Sequence, residues 1–181
     1  MAMTTTLYRF HIELSDIGNS LYDSLDFRVA QHPSEGPHYL VTRVIAFALN
    51  TREGLAFAPT GLHDPDAAAI SVPAANGGFE LQIEIGSPSA KKLHKAMKAS
   101  KAVKVYTYKN PVLLMKDLAG EEIHRADEIE FFALSPAFID ELIPLLKKDN
   151  RWDLVFNDGT ITVQAGDKTV TGELQTLTLE K

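Results

Sequence analysis

The chain has no cysteine among its 181 residues. This absence excludes disulfide bonds and thiolate metal sites, and it is consistent with a reducing cytoplasm. The sequence also lacks any run approaching the roughly 18 apolar residues that a membrane helix needs. Its start, MAMTTTLYRFHIEL, has no basic stretch followed by an apolar block, so no secretory signal is predicted. We therefore expect a cytoplasmic protein with no membrane partner.

Two further classes of site have no support in the sequence. There is no glycine-rich phosphate loop and no dinucleotide-binding fingerprint. The six histidines show no HxxxH pattern that would indicate zinc. An apolar fraction of 45% and a charged fraction of 23% are those of a globular protein, and the length suits a single domain, residues 1–181.

The net charge of −6 taken alone argues against non-specific nucleic-acid binding. The distribution of charge differs from this average. Residues 85–116 contain eight lysines and no acidic residue, so this segment carries +8 and the rest of the chain carries −14. The eight are Lys91, Lys92, Lys95, Lys98, Lys101, Lys104, Lys109 and Lys116. A basic surface that could bind nucleic acid through residues 91–116 is therefore predicted within an acidic chain.

Hydrophobic periodicity predicts antiparallel strands at both ends of the chain. Residues 7–14 and 24–30 form an opening strand pair, and apolar residues at helical spacing predict a buried helix over about 36–50. Residues from about 151 to 179 predict two hairpins, with turns at Asn157-Asp158-Gly159 and Ala165-Gly166-Asp167. The ends of the domain should therefore be antiparallel.

The middle of the chain predicts a parallel unit. FELQIEIG (79–86) indicates a strand, SPSAKKLHKAMKAS (87–100) a helix, and AVKVYTY (102–108) another strand, which together make a βαβ crossover. Ser87 is the predicted N-cap of this helix, with Pro88 at its first position. A short helix at NPVLLMKDLAG, a strand at IEFFALS and a helix at PAFIDELIPLLKK follow. The expected fold is a mixed α/β sheet flanked by helices.

Glu84 is the first candidate for chemistry because it lies in an apolar strand. If one face of that strand is solvated, Glu84 simply faces water; if both faces are covered, it needs a buried partner. Lys92 flanks the buried face of the next helix, and its stem could bring the ammonium group to the end of the strand. Lys95 could do the same with some rotation of the helix. For each lysine the alternative is an ordinary solvated group.

Several other residues have an ordinary structural alternative. Asp64-Pro65-Asp66 has the composition of a turn. Tyr106 and Tyr108 could stack on nucleobases or line a cleft, with core or rim packing as the alternative. Ser34, like Ser87, is interpreted as a helix cap.

Four segments, HPSEGPHYLVTRVIAFAL, DPDAAA, LQIEIGSPSAKKLHKA and VYTY, resemble the YaeQ family of bacterial proteins. The resemblance covers essentially the whole chain. It implies a restriction-endonuclease-like fold, with a nuclease-like core at about 34–110, and a variant of the PD-(D/E)xK nuclease signature.

In the usual signature a lysine stands two residues after the second acid, and here that position is Gly86. The resemblance suggests that a lysine of the following helix, Lys92 or Lys95, has taken over. Glu35 matches an extra carboxylate that many members of the superfamily place beside the metal. The implied metal ligands are Glu35, Asp66 and Glu84, and the implied catalytic residues are Asp66, Glu84, Lys92 and Lys95.

The resemblance thus implies a nuclease that uses Mg²⁺ or Mn²⁺ to hydrolyse DNA or RNA. Carboxylate oxygens are the hard ligands that Mg²⁺ prefers, and an ammonium group nearby would stabilise charge developing on the phosphate. The alternative is a catalytically inactive protein that keeps the nuclease scaffold and binds nucleic acid or a protein, possibly in transcription.

Overall fold

The computed structural model describes residues 4–59 and 66–180, which form a mixed α/β fold. The strands are β1 (Thr6–Asp16), β2 (Leu21–Gln31), β3 (Ala56–Phe57), β4 (Ile70–Pro73), β5 (Phe79–Ile85), β6 (Ser100–Thr107), β7 (Glu130–Leu134), β8 (Asp149–Asn157), β9 (Thr160–Ala165) and β10 (Lys168–Leu177). The helices are α1 (Pro37–Leu49), α2 (Ala90–Ala99), α3 (Pro111–Leu118) and α4 (Pro136–Leu142), with 3₁₀ turns at Ala126–Glu128 and Ile143–Leu145. None of these helices is long and apolar enough to cross a membrane.

The described strands form one ten-stranded sheet in the order β2-β1-β8-β9-β10-β7-β6-β5-β4-β3. Strand β10 joins the two halves of this sheet, because its first part pairs with β9 and its end, residues 174–177, pairs with β7. Helix α4 packs on β10 at Gly172, where a Cβ atom would lie 2.4 Å from the side chain of Phe138. Glycine is therefore required here by the close approach of a buried ring.

Helix α1 is wrapped by the two ends of the sheet. Phe27 on β2 and Phe57 on β3 belong to the first and last strands of the sheet order, yet their ring centroids lie 5.7 Å apart. Phe47 on α1 packs against Phe27 at 4.7 Å with tilted rings and stacks on Phe57 at 4.3 Å. The sheet is thus curled around α1, whose apolar residues are almost completely buried. The predicted helix over 36–50 is confirmed.

Helices α2 and α3 cover the opposite face of the central strands. Val103 and Val105 of β6 pack with Leu93 and Met97 of α2, whereas Tyr106 belongs to the cluster on the α1 side. This division follows from the alternation of side chains along a strand. The strands at the centre of the sheet are consequently covered on both faces.

Most of the predicted elements are confirmed. Strands β1 and β2 are antiparallel, β5 and β6 are parallel neighbours joined by α2, and β8, β9 and β10 form two hairpins. Both predicted turns contain residues with positive φ, namely Asp158 (49°), Gly159 (78°) and Gly166 (64°). Helices α3 and α4 and strand β7 also lie where the pattern indicates.

The predicted helix caps are wrong. Helix α2 begins at Ala90, and its N-cap is Ser89, whose hydroxyl accepts a hydrogen bond from the Lys92 backbone N–H at 3.1 Å. Ser87 and Pro88 belong to the connection that leaves β5. The reason is Gly86, which has a φ of 93° and turns the chain before the helix can start. Ser34 caps no helix either, because the N-cap of α1 is Gly36.

Candidate active site

Glu84 lies near the end of β5 and is 3% exposed. Strand β5 is paired on both sides, antiparallel to β4 and parallel to β6. Its apolar residues Leu81, Ile83 and Ile85 pack on the α1 side of the sheet, so Glu84 points to the α2 side. The alternative of a solvated Glu84 is therefore excluded, and this carboxylate needs a partner.

Lys92 is that partner. Its Nζ lies 3.1 Å from Glu84 Oε2, and the lysine side chain is 30% exposed whereas that of Glu84 is 4% exposed. The Ser89 cap fixes the first turn of α2 through the backbone N–H of Lys92 itself. Burial raises the pKa of Glu84 above its ordinary value of 4.5, and the Lys92 ammonium group opposes that rise. The result is an ion pair in which the Glu84 carboxylate is enclosed and the Lys92 side chain reaches solvent.

Asp66 and Lys95 form a second, looser pair at the surface. Lys95 Nζ lies 3.8 Å from Asp66 Oδ1, and their side chains are 60% and 77% exposed. Lys92 and Lys95 are three residues apart on α2 and therefore neighbours on its surface. Asp66 and Glu84 consequently lie along the same side of this helix. Asp64 and Pro65 of the acidic tripeptide are outside the described residues.

Glu35 has a partner of its own, Arg43 on α1. Arg43 Nη2 donates to both carboxylate oxygens of Glu35, at 3.0 and 2.8 Å, and also to the Ala30 carbonyl oxygen at 2.8 Å. The guanidinium carbon lies 5.8 Å from the Tyr39 ring centroid and 5.3 Å from that of Phe57. Burial raises the pKa of Glu35, against the opposing charge of Arg43. This pair is enclosed, with side chains 1% and 3% exposed.

The charges of both buried carboxylates, Glu35 and Glu84, act on Tyr39. Burial raises its pKa to about 12 against the opposing charge of Arg43, and the charges of Glu35 and Glu84 both add to the rise. The Tyr39 hydroxyl is thus within electrostatic range of both acids. The first turns of α1 and the end of β5 therefore belong to one region of the molecule.

Glu35, Asp66 and Glu84 do not form a three-ligand metal centre by themselves. Within residues 4–59 and 66–180, no group of three histidine, aspartate or glutamate side chains is arranged to hold a metal ion. The donor set of Asp66 and Glu84 nevertheless suits Mg²⁺, which proteins commonly hold through one or two carboxylates, with water and substrate phosphate completing the shell. Glu35 instead engages Arg43.

Gly86 occupies the position at which the resemblance to the nuclease signature would place a lysine. Its φ of 93° lies where L-amino acids are strained, and a Cβ atom would sit 3.9 Å from Tyr108 Cε1. Its N–H donates to the Tyr106 carbonyl oxygen at 2.8 Å, which holds this conformation. The backbone disfavours a lysine at this position, and α2 supplies the ammonium group from Lys92 instead.

Arg43 and Tyr39 are not among the residues predicted from the sequence. A signal for Arg43 was present, because it is the single Lys, Arg, Asp or Glu in the otherwise apolar helix PHYLVTRVIAFAL. A guanidinium group on a helix that is buried all round requires an acidic partner. Tyr39 has no comparable signal, since a tyrosine at a helix start is ordinary.

Comparisons with known proteins agree with this architecture. A family model described as YaeQ protein matches residues 1–174. The uncharacterized protein YaeQ of Escherichia coli strain K12 is 26% identical over 165 residues, which cover 91% of this chain and 85% of that protein. The crystal structure of YaeQ protein from Xanthomonas axonopodis pv. citri superposes with a TM-score of 0.88 at 25% identity and covers 98% of this chain and 100% of that chain. The Pseudomonas syringae YaeQ protein has a TM-score of 0.87 at 24% identity, covering 99% of each chain.

Proposed function

The chain belongs to the YaeQ family, and on this premise we propose that it is a Mg²⁺-dependent nuclease that hydrolyses phosphodiester bonds in DNA or RNA. The proposal includes a restriction-endonuclease-like fold and a variant PD-(D/E)xK site. The observation that carries it is the buried Glu84 with the Lys92 ammonium group 3.1 Å away, on a strand that is paired on both sides and covered on both faces. A buried ion pair is weak evidence for stability, whereas a buried acid with a shifted pKa beside a partly exposed lysine is typical of functional sites, which supports a chemical role.

The residues of this site would have different roles in the proposed hydrolysis of a phosphodiester bond. Asp66 and Glu84 would hold the metal, which supplies Lewis-acid activation of phosphate and water when bound. Lys92 would stabilise negative charge as it develops on the phosphate oxygens, or orient the attacking water. Because Lys92 is partly exposed while Glu84 is enclosed, substrate can reach the ammonium group directly.

The surface around α2 suits a polyanion. Lys91, Lys95 and Lys98 are exposed, and Lys101 continues the basic surface onto β6, where it also pairs with Glu80. A local concentration of positive charge raises the association rate of a phosphate backbone even on an acidic protein. The substrate would therefore approach from the α2 side.

A second candidate function is a non-catalytic nucleic-acid-binding protein on the same scaffold. The observation that favours it is the pairing of each predicted acid with its own cation, as Glu35–Arg43, Asp66–Lys95 and Glu84–Lys92. The acids are then neutralised without a metal ion. Under this alternative Mg²⁺ would neither stabilise the protein nor support cleavage.

The two functions are separated by titrating Mg²⁺ or Mn²⁺ into wild type and into an Asp66→Ala, Glu84→Ala double variant. Melting temperature and cleavage of mixed DNA and RNA substrates are followed together. The nuclease proposal expects metal-dependent stabilisation and cleavage in wild type, with both lost in the double variant. The matched control is Asp167→Ala, Glu173→Ala, which removes the same charge from exposed positions on the β9–β10 hairpin. Nucleic-acid binding without metal response or cleavage would favour the scaffold function.

A further inference from the structure

We propose that Tyr108, with His38 and Lys109 beside it, forms a stacking platform for an unpaired nucleobase, so that the substrate class is single-stranded polynucleotide. This inference rests on the proposed function and deepens it, because it assigns a binding subsite next to the Glu84–Lys92 pair.

Tyr106 and Tyr108 lie two residues apart, yet the fold gives them different environments. Tyr106 is 3% exposed, accepts a hydrogen bond from Asn50 Nδ2 at 2.9 Å and stacks on Phe132 at 4.9 Å. It is therefore a core residue and cannot contact a base. Tyr108 follows the last residue of β6 and is only partly buried. Of the two tyrosines, only Tyr108 presents a ring that a ligand can reach.

The groups around the reachable part of Tyr108 suit the binding of a nucleobase. The His38 ring lies nearly parallel to it, with centroids 6.1 Å apart and an interplanar angle of 26°. His38 is held in place by a contact of 2.8 Å between its Nε2 and Asp140 Oδ1, although its side chain remains 47% exposed. Lys109 Nζ lies 5.8 Å from the Tyr108 ring centroid. Aromatic faces accompanied by a cation are the usual means of binding single strands without sequence preference.

The platform stands next to the acid–lysine pair. Gly86 is in contact range of Tyr108, since a Cβ atom there would lie 3.9 Å from Tyr108 Cε1. Glu84 precedes Gly86 by two strand positions, a distance of about 7 Å. Glu84 and Lys92 lie on the α2 side of the sheet and Tyr108 packs on the α1 side, so a strand that crosses this end of the sheet would place a phosphate at Lys92 and the base of a neighbouring nucleotide on Tyr108. The bases of a duplex are stacked on each other and unavailable to Tyr108, which selects for unpaired strands.

The test measures binding of the full chain in a chelator, where no cleavage occurs. Dye-labelled single-stranded DNA, single-stranded RNA and a blunt DNA duplex of matched length are titrated by fluorescence anisotropy. Tyr108→Ala is expected to weaken single-strand binding about ten-fold and to leave duplex binding unchanged. Tyr108→Phe keeps the ring and should bind like wild type. Tyr22→Ala, which removes a tyrosine that is 64% exposed on β2, is the matched control and should have no effect.

Because Tyr108 also touches the core, His38→Ala provides a second variant with less risk to folding, and it should weaken single-strand binding by a few-fold. Quenching of a 2-aminopurine base by wild type and Tyr108→Phe, but not by Tyr108→Ala, would report stacking directly. The DNA and RNA arms show which polymer is preferred. Equal weakening of single-strand and duplex binding, no weakening, or no single-strand binding by wild type would each overturn the platform.

The outcome is separable from that of the proposed function. If single-strand binding depends on Tyr108 but the protein cleaves no substrate, the stacking platform is supported and the nuclease proposal is contradicted. If wild type cleaves and Tyr108→Ala still binds single strands fully, the platform is contradicted and the nuclease proposal is supported.

Discussion

Two buried carboxylates, Glu35 and Glu84, are each paired with a cation at about the same distance, but the cations differ. Arg43 is 3% exposed, lies between the rings of Tyr39 and Phe57, and also donates to a backbone carbonyl. Lys92 is 30% exposed and makes its contact through a flexible stem. The first pair is closed on all sides and the second is open on one. The comparison shows that one type of ion pair can be enclosed at one place in a fold and reach solvent at another.

The side chains explain the difference. A guanidinium group is a planar donor that is held by several acceptors at once, whereas an ammonium group is a compact charge that can move on its four-carbon stem. Asp66 and Lys95 form a third ion pair, which lies at the surface because both side chains are more than half exposed. Such pairs contribute little to stability because water and salt screen them. Structural importance should therefore fall from Glu35–Arg43 through Glu84–Lys92 to Asp66–Lys95.

The largest effect is expected from Arg43→Met. This change leaves Glu35 buried without its partner, and breaking a buried pair in this way costs about 3–5 kcal/mol of unfolding free energy. Urea denaturation measures the loss. The double variant Glu35→Gln, Arg43→Met should recover much of it, because no uncompensated charge remains. If Lys92→Met is equally damaging, the distinction between a closed and an open pair is wrong.

The next largest effect concerns turnover. Lys92→Ala should lower the rate of phosphodiester cleavage by about 10²–10³-fold, the usual consequence of removing one group that stabilises transition-state charge. The same protein should keep its melting-temperature increase with Mn²⁺, since the carboxylates are intact. Lys95→Ala is the matched control one helical turn away and should change the rate by less than about three-fold, given its exposure. Equal effects from the two lysines would contradict the assignment of Lys92.

A smaller effect is expected in the pH dependence of stability. The pKa of Glu84 is raised by burial, so the folded protein binds this proton more readily than the unfolded chain. The stabilisation that follows is complete below the ordinary value of 4.5 and is lost as pH rises through the folded-state pKa. Glu84→Gln has no such proton, so its stability relative to wild type should rise as pH increases from 4.5 through the folded-state pKa of Glu84. A relative loss over that range would show that Lys92 outweighs burial.

The smallest effect is expected from the exposed pair. Lys95→Met should change the unfolding free energy by less than about 0.5 kcal/mol, because solvent already screens both partners. Urea denaturation at low and high salt checks this value. A change as large as that of Lys92→Met would mean that Asp66 and Lys95 form a structural pair.

The βαβ unit could be predicted because it depends on local periodicity, and the same periodicity made Lys92, alongside Lys95, a candidate partner for Glu84. Alternation along β5 sets the direction of Glu84, and helical spacing places Lys92 at the border of the buried face of α2. The helix start was misplaced by two residues because the φ of Gly86 cannot be read from a Ser-Pro-Ser run that offers two equally good caps. Local chemistry was sufficient for the elements and insufficient for their exact ends.

The pair of Glu35 with Arg43 could not be predicted in the same way. It depends on the two ends of the sheet meeting over α1, where Phe27 and Phe57 come together from strands that are distant in the sheet order. The two halves of that sheet are joined by β10, which pairs with β9 along its first part and with β7 at its end. Long-range closure of this kind leaves no periodic pattern in the sequence.

A crystal soaked with Mn²⁺ tests most directly whether Glu84 and Lys92 form an active site. The account predicts an anomalous peak beside the Glu84 carboxylate, with Asp66 as a second ligand and Lys92 moved off Oε2 to the open side. An intact contact of 3.1 Å between Lys92 and Glu84, with no peak within coordination distance of either carboxylate, would contradict it.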